Sequence, residues 1–364
     1  MICAGQQGLC NIAPMADPRA PMLSGLVLAP GPAGRCDDFR VGGAVVDHDA
    51  VSGLWRMWYY CRDHETAREN KAPPPLGSGR VALALSDDGM DWRRVEGPAG
   101  RGAVFGPSAV PGDFDALHVG LTDVTRGAGG WLMWYFAGGN EARTSANPAL
   151  GTMTGIGMRP GLARSIDGIN WQRVRGLATG GALVDYRAEQ LYAAWPNMFW
   201  DGRRFVMQVT VPSLDIADYE TEVHVSDDGV KWTPLGPVQW ATGRWDWNRG
   251  GMVTRQVLLN PLPGGRRWLM IYTGLDAHHG RSIAAAESDD GLLWHHLGDG
   301  PFFTTGAKGG WDDFGVAANR LVAVGDQLYL YYYGFQTLGD VGLRGIGLAT
   351  GPDLWALKRV ETTA

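Results

Sequence analysis

The segment Ser86-Asp87-Asp88-Gly89-Met90-Asp91-Trp92 decides the fold, because the chain repeats its pattern four more times. It returns as Ser165-Ile166-Asp167-Gly168-Ile169-Asn170-Trp171, as SDDGVKW over 226–232 and as SDDGLLW over 288–294. A worn copy, Thr350-Gly351-Pro352-Asp353-Leu354-Trp355, closes the series. The last tryptophans of the five copies stand 79, 61, 62 and 61 residues apart. So regular a period marks a repeat architecture.

Outward from each copy the context is also repeated. A short apolar strand precedes it (VALALS, GLARS, EVHVS, IAAAES, GIGLAT), and a polar strand such as Trp92-Arg93-Arg94-Val95 follows. The Asp-Gly pair between them is a hairpin signal, since glycine tolerates the positive φ that such turns require. Further upstream lies an aromatic strand: WRMWYY from Trp55, WLMWYF from Trp131, RFVMQV from Arg204, WLMIYT from Trp268 and LYLYYY from Leu328. Before that comes another apolar run, as at 41–46 and 316–324. Each unit therefore predicts four antiparallel strands, one blade, that cannot bury both faces alone. The expected fold is all-β: a single five-bladed β-propeller over 1–364, with four antiparallel strands per blade. The blades fall at about 35–100, 101–180, 181–240, 241–300 and 301–364. Residues 1–34 form an arm, of which 25–30 is expected to hook onto the edge of blade five. The repeated tryptophans Trp92, Trp171, Trp232, Trp294 and Trp355 are expected to pack between blades. Trp55, Trp58, Trp131, Trp134 and Trp268 of the aromatic strands read the same way.

Composition narrows the function. The 364 residues are 45% hydrophobic and 19% charged, with 54 glycines, 16 tryptophans and a net charge of −6. No block of Lys or Arg supplies the positive field that a nucleic-acid backbone demands, so no nucleic-acid partner is expected. No apolar run approaches 18 residues, so no membrane partner is expected either. The N-terminus shows no basic region followed by a long apolar run, and a cytoplasmic protein is the expectation. The cysteines, Cys3, Cys10, Cys36 and Cys61, lack zinc-site spacing, and their three possible pairings stay open.

Loops leading into the innermost strands share a face with the loops joining second and third strands. A funnel-shaped site would be built from these two sets. The first set carries Asp37, Asp38 and Arg40; Asp113 and Asp115; Asp185 and Glu189; Asp246 and Arg249; and Asp312 and Asp313. The second carries Arg62, Asp63, His64 and Glu65; Asn140, Glu141 and Arg143; Asp218 and Glu220; Asp276, His278 and His279; and Gln336. A recurring aspartate before an inner strand also fits a backbone-capping role in a tight turn. Non-repeating polar residues are more informative: Arg40, His118, Glu189, Gln190, Arg249, Asn319 and Arg320.

These hairpins, aromatic strands and Trp/Phe-Asp loops resemble glycoside hydrolase families 43 and 32, the arabinanase, levansucrase and invertase type, over nearly the whole chain. The resemblance implies a carbohydrate substrate and three carboxylates converging on the axis from the first three blades. One acts as nucleophile or base, one orients, and one is the acid that protonates the departing sugar oxygen. The usual Asp-Pro or Glu-x-Pro signature is missing. The matching positions read Gly42 and Gly43, then Gly120 and Leu121, then Trp195-Pro196.

The leading expectation is a glycoside hydrolase acting on a small or terminal sugar. Glu189 is the expected general acid, with Asp38 and Asp115 as candidate base or nucleophile. Arg40, His118, Trp195, Arg249, Asp246, Asp313 and Asn319 are the expected substrate contacts. A non-catalytic glycan-binding or scaffold propeller is the alternative. Phosphorolysis is a further one, with Arg40, Arg249, Arg281 and Arg320 as phosphate donors. No cofactor is expected, and no metal, since His118 is the only obvious candidate ligand at the channel centre.

Overall fold

One hydrogen-bond pattern holds the repeated turns. Ser86 Oγ accepts from Gly89 N (2.9 Å), and Asp88 Oδ1 accepts from Met90 N and Asp91 N (2.8 and 2.9 Å). Ser165 with Asp167, Ser226 with Asp228 and Ser288 with Asp290 repeat it. Glycine is required at the turn: Gly168 has φ +78°, and a Cβ there would meet the Trp58 ring at 2.8 Å.

The computed structural model describes residues 23–64, 77, 79–127, 129–336 and 342–361. Their regular secondary structure is almost entirely β. Cys3, Cys10, Glu65 and most of the N-terminal arm lie outside the described residues. A short strand, β1 (Leu26–Leu28), comes first. Then β2 (Arg40–His48), β3 (Trp55–Arg62), β4 (Arg80–Ser86) and β5 (Arg93–Arg94) pair in chain order as an antiparallel meander. The second meander starts with β6 (His118–Gly127) and β7 (Gly130–Gly138). It is interrupted by a separate hairpin of β8 (Ala142–Thr144) and β9 (Thr152–Thr154), and resumes with β10 (Arg159–Ser165) and β11 (Gln172–Val174). That inserted hairpin accounts for the longer first interval between the repeated tryptophans.

The third meander is β12 (Ala194–Trp200), β13 (Phe205–Pro212), β14 (Tyr219–Ser226) and β15 (Thr233–Pro237). Next, β16 (Gln239–Trp240) runs parallel beside the last strand of the fourth meander. That meander is β17 (Gly251–Leu259), β18 (Trp268–Leu275), β19 (Arg281–Ser288) and β20 (Leu293–Leu297). The fifth is β21 (Gly315–Val324), β22 (Gln327–Phe335), β23 (Arg344–Gly351) and β24 (Lys358–Arg359). β1 adds to the edge of β23, with Leu26 opposite Gly347, and Trp311 Nε1 donates to Ser24 O (2.9 Å).

Each meander packs on the next through its aromatic strand. Trp58 Nε1 donates to Gly168 O (2.8 Å) and meets Trp171 edge-on. Trp134 meets Trp232, and Phe199 packs on Trp268. Leu269 and Ile271 of the fourth meander share a core with Val316 and Leu330 of the fifth. Tyr331 of the fifth returns to the first, donating to Gly89 O (2.8 Å) and meeting Trp92. A fully buried aromatic side chain removes about 150–250 Å² from water, roughly 4–6 kcal/mol per side chain before the cost of ordering, and each such contact contributes a part of that. Trp294 is buried as expected, but Trp355 is 56% exposed. The worn copy lacks the Asp-Gly turn. Its Asp353 caps a 3-10 turn instead, and Leu354 takes the buried place. Cys36 and Cys61 are buried free thiols with sulfurs 3.6 Å apart.

Candidate functional site

The first strand of every meander breaks register once along its pairing with the second. The irregularities lie between Gly42 and Val45, Leu121 and Asp123, Ala194 and Asn197, Met252 and Arg255, and Ala318 and Arg320. A bulge leaves a residue unpaired and re-aims its side chain. The bulged residues Gly43, Ala44, Thr122, Trp195, Thr254 and Asn319 all line one cavity of about 400 Å³. Five separate strands thus converge on a single concave space.

Side chains tie the freed backbone groups to neighbouring strands. Asn197 Oδ1 accepts from Val257 N (2.9 Å), and Gln256 Oε1 accepts from Leu321 N (2.6 Å). With its amide oxygen turned toward them, Asn319 accepts from Ala44 N (3.1 Å) and Tyr333 N (3.2 Å). One residue past Thr122, the buried Asp123 accepts from Arg320 Nη1 (2.8 Å) and Asn197 Nδ2 (3.0 Å). Burial raises the Asp123 pKa, and the Arg320 guanidinium opposes the rise.

The aromatic strands supply the walls by simple alternation. Tyr60, Phe136 and Tyr333, the sixth residues of WRMWYY, WLMWYF and LYLYYY, line the cavity. The inserted hairpin adds Leu150, and Ala146 N anchors it to Leu214 O (2.9 Å). Trp195 sits at φ +49° with its ring against Phe136 and Tyr192, at centroid distances of 5.2 and 5.4 Å.

Four basic side chains also line the space: Arg62, His118, Arg255 and Arg281. His118 Nε2 is 2.9 Å from Gly155 O, so that nitrogen carries the proton and donates. Burial pushes the His118 pKa down to about 4, and its buried Nδ1 has no partner. The ring is therefore neutral at pH 7 and offers an acceptor. Arg255 is buried and donates to the carbonyls of Gln208 (3.0 Å), Val253 (3.0 Å) and Trp195 (3.4 Å) and to the Thr210 hydroxyl. Arg62 Nε donates to the Tyr60 hydroxyl, and Arg281 lies over the Phe335 ring. Among the described residues, no Asp or Glu lines the cavity.

Of the residues expected from sequence, the structure brings His118, Trp195 and Asn319 into this cavity, together with Arg281 of the phosphate reading and Arg62 of the second loop set. The others lie elsewhere among the described residues. Glu189 is exposed and bonded to Arg187 Nε (2.6 Å), a contact that lowers its pKa. A general acid needs the opposite shift. Arg187 also pairs with Glu222 (2.5 Å), away from the cavity lining. Asp38 accepts from Gly34 N (2.8 Å) and His64 N (2.9 Å), which is the turn-capping role.

Asp115 belongs to a second repeat. It is buried and accepts from Tyr135 Oη (3.0 Å) and Arg173 Nε (2.6 Å). Asp37 with Tyr59 and Arg94, and Asp312 with Tyr332 and Arg359, make the same triad. The fourth meander replaces the ions with Asn248, Tyr272 and His296. The triad ties a leading loop to the second and last strands, so its aspartates hold the meander together. Arg40 lies over Phe39, Asp246 pairs with Arg249 in solvent (2.6 Å), and Asp313 accepts from Gly309 N (2.7 Å).

Sequence reasoning missed Tyr60, Phe136, Tyr192, Tyr219, Arg255 and Tyr333 as site residues. The sixth-position rule was a usable signal for three of them. Nothing in sequence marks Arg255, whose place depends on the bulge. A larger groove of about 950 Å³ lies between the first and second meanders, lined by Arg80, Phe105, Trp171 and Arg173 among others. Its Arg173 is committed to Asp115 and its Asp167 to a turn. The central cavity has the apolar lining and unengaged polar groups that mark a small-molecule site.

No known family description matches the chain, and no curated protein matches it in sequence. Solved structures share its fold. A glycosyl hydrolase from Bacteroides ovatus is similar at 13% identity with a TM-score of 0.58, over 94% of this chain and 93% of that one. The β-1,2-mannobiose phosphorylase from Listeria innocua, solved with β-1,2-mannobiose, matches at 13% identity with a TM-score of 0.61, over 88% and 93%. An N-acetylgalactosamine deacetylase from F. plautii, solved with blood group B trisaccharide, matches at 17% identity with a TM-score of 0.56, over 89% and 95%. The chain thus has a glycoside-hydrolase-like fold.

Proposed function

We propose that the five meanders are the blades of a five-bladed β-propeller, and that this chain is a carbohydrate-active protein holding a small or terminal sugar in the axial cavity. One observation carries the reading: five inner-strand bulges open onto one cavity lined by aromatic rings and unengaged polar groups. Trp195 and Tyr60 offer faces for stacking on a sugar ring, and His118 Nδ1 offers an acceptor for a hydroxyl. The similar structures, which include a glycosyl hydrolase and a mannobiose phosphorylase, support the same substrate class.

Two-carboxylate hydrolysis places its pair on either side of the scissile bond. No Asp or Glu among the described residues lines the cavity, which favours a second reading: sugar recognition without hydrolysis. A screen of free sugars by tryptophan fluorescence, with aryl glycosides tested with and without phosphate, tests both. Saturable binding that weakens at least tenfold in Trp195→Ala is the expected result. Turnover lost in His118→Gln selects an enzyme, and binding without turnover selects recognition. Affinities unchanged in Trp195→Ala and Tyr60→Ala would remove the cavity from the account.

A further inference from the structure

The cavity is basic in a way that neutral sugars do not require. Arg62, Arg255 and Arg281 all line it, and none has a carboxylate partner among the described residues. By contrast, Arg94, Arg173, Arg320 and Arg359 each pair with a buried aspartate. The asymmetry follows position. Those four guanidinium groups are neutralised, and the three around the cavity are left to meet something else.

Arg255 is the most informative of the three. It is 2% exposed, and four neutral oxygens engage its terminal nitrogens, while its Nε has no partner. Burial lowers its pKa to about 9, which still leaves it charged at neutral pH. A buried cation is costly unless an anion is nearby. Arg281 Nε is likewise buried without a partner, and its charge acts on Tyr192 and Tyr219 across the cavity wall. Arg62 stands near His118 on the side formed by the first two meanders.

We infer that the cavity's ligand carries an oxyanion, a carboxylate or a phosphate group, seated between Arg281 and Arg62 with the buried charge of Arg255 behind it. The substrate class is then an acidic sugar, a uronate or sugar phosphate, or a neutral sugar bound together with inorganic phosphate. Charge-assisted donors of this kind bind carboxylate and phosphate oxygens about twice as strongly as neutral ones do. This inference rests on the sugar-site reading above and narrows it.

Titration calorimetry of the intact chain tests it with glucuronate and galacturonate, their neutral parents glucose and galactose, the corresponding sugar phosphates, and inorganic phosphate alone or with each neutral sugar. Arg281→Gln is the main variant, since the Arg281 side chain makes no hydrogen bond among the described residues. Arg93→Gln, a surface substitution, is the control. The inference expects at least one acidic sugar to bind tenfold or more tighter than its neutral parent. In Arg281→Gln that advantage is expected to be lost, so that the acidic sugar binds no tighter than its neutral parent to the same variant. Tighter neutral-sugar binding in the presence of phosphate, again lost in Arg281→Gln, also supports the oxyanion and assigns it to free phosphate. Neutral sugars binding as tightly as acidic ones, with no effect of phosphate, would overturn the inference and leave the sugar site standing. Absence of all binding in the unmodified chain would overturn both.

Discussion

At Trp195 the chain holds a bulky side chain at φ +49°, a conformation that costs a non-glycine residue roughly 1–3 kcal/mol. The residue before a proline gains nothing intrinsic from it, so the surrounding packing with Phe136 and Tyr192 must impose it. The gain is placement, since the ring is turned into the cavity. His118 is also over-determined by its surroundings, with one nitrogen bonded and the other buried. Its pKa of about 4 lies below the ordinary 6.5, so the unfolded chain takes up the proton first as pH falls. Stability from this residue is therefore complete above about pH 6.5 and is lost as pH falls through about 4. Denaturant unfolding of the unmodified chain and His118→Gln should show the difference between them shrinking by about 2–3 kcal/mol between pH 7.5 and pH 4.5. A pH-independent difference would mean that His118 is not buried as a neutral ring.

The element scale explains why aspartates misled the reading of the site. Asp37, Asp115 and Asp312 recur because each closes a triad with a tyrosine of the second strand and an arginine of the last. Asp115→Asn should cost about 2–4 kcal/mol, because Arg173 then lacks its buried counter-charge. It should leave sugar affinity within about twofold. Thermal unfolding and a binding titration on the same sample check both, and a stable variant with lost binding would return Asp115 to the site. The repeat itself was fully legible: strand order, turn chemistry and aromatic strands follow from the heptapeptide and its surroundings. Alternation also separates Tyr59 and Tyr135, which face the triads, from Tyr60 and Phe136, which face the cavity. The bulges were not legible, because register depends on pairing between strands and no local residue choice marks it. The functional reading therefore placed Glu189 and Asp38 in the site, whereas the cavity is lined by Trp195 and Gly43.

For the whole molecule, contacts link each meander to the next and the fifth back to the first, and the Asp123–Arg320 pair joins the second to the fifth. β1 adds the N-terminal segment to the edge of the fifth meander. This arrangement gives a rigid surround to a cavity that no single meander could build. Two concave spaces then compete as the proposed sugar site: the cavity of about 400 Å³ beneath the bulges and the larger groove between the first two meanders. A crystal structure with a bound sugar, taken from the binding screen, separates them most directly. The account predicts sugar density in the axial cavity, with the ring against Trp195 or Tyr60 and an oxyanion beside Arg281. Ordered sugar confined to the groove beside Trp171, with the axial cavity empty at saturating ligand, would contradict it.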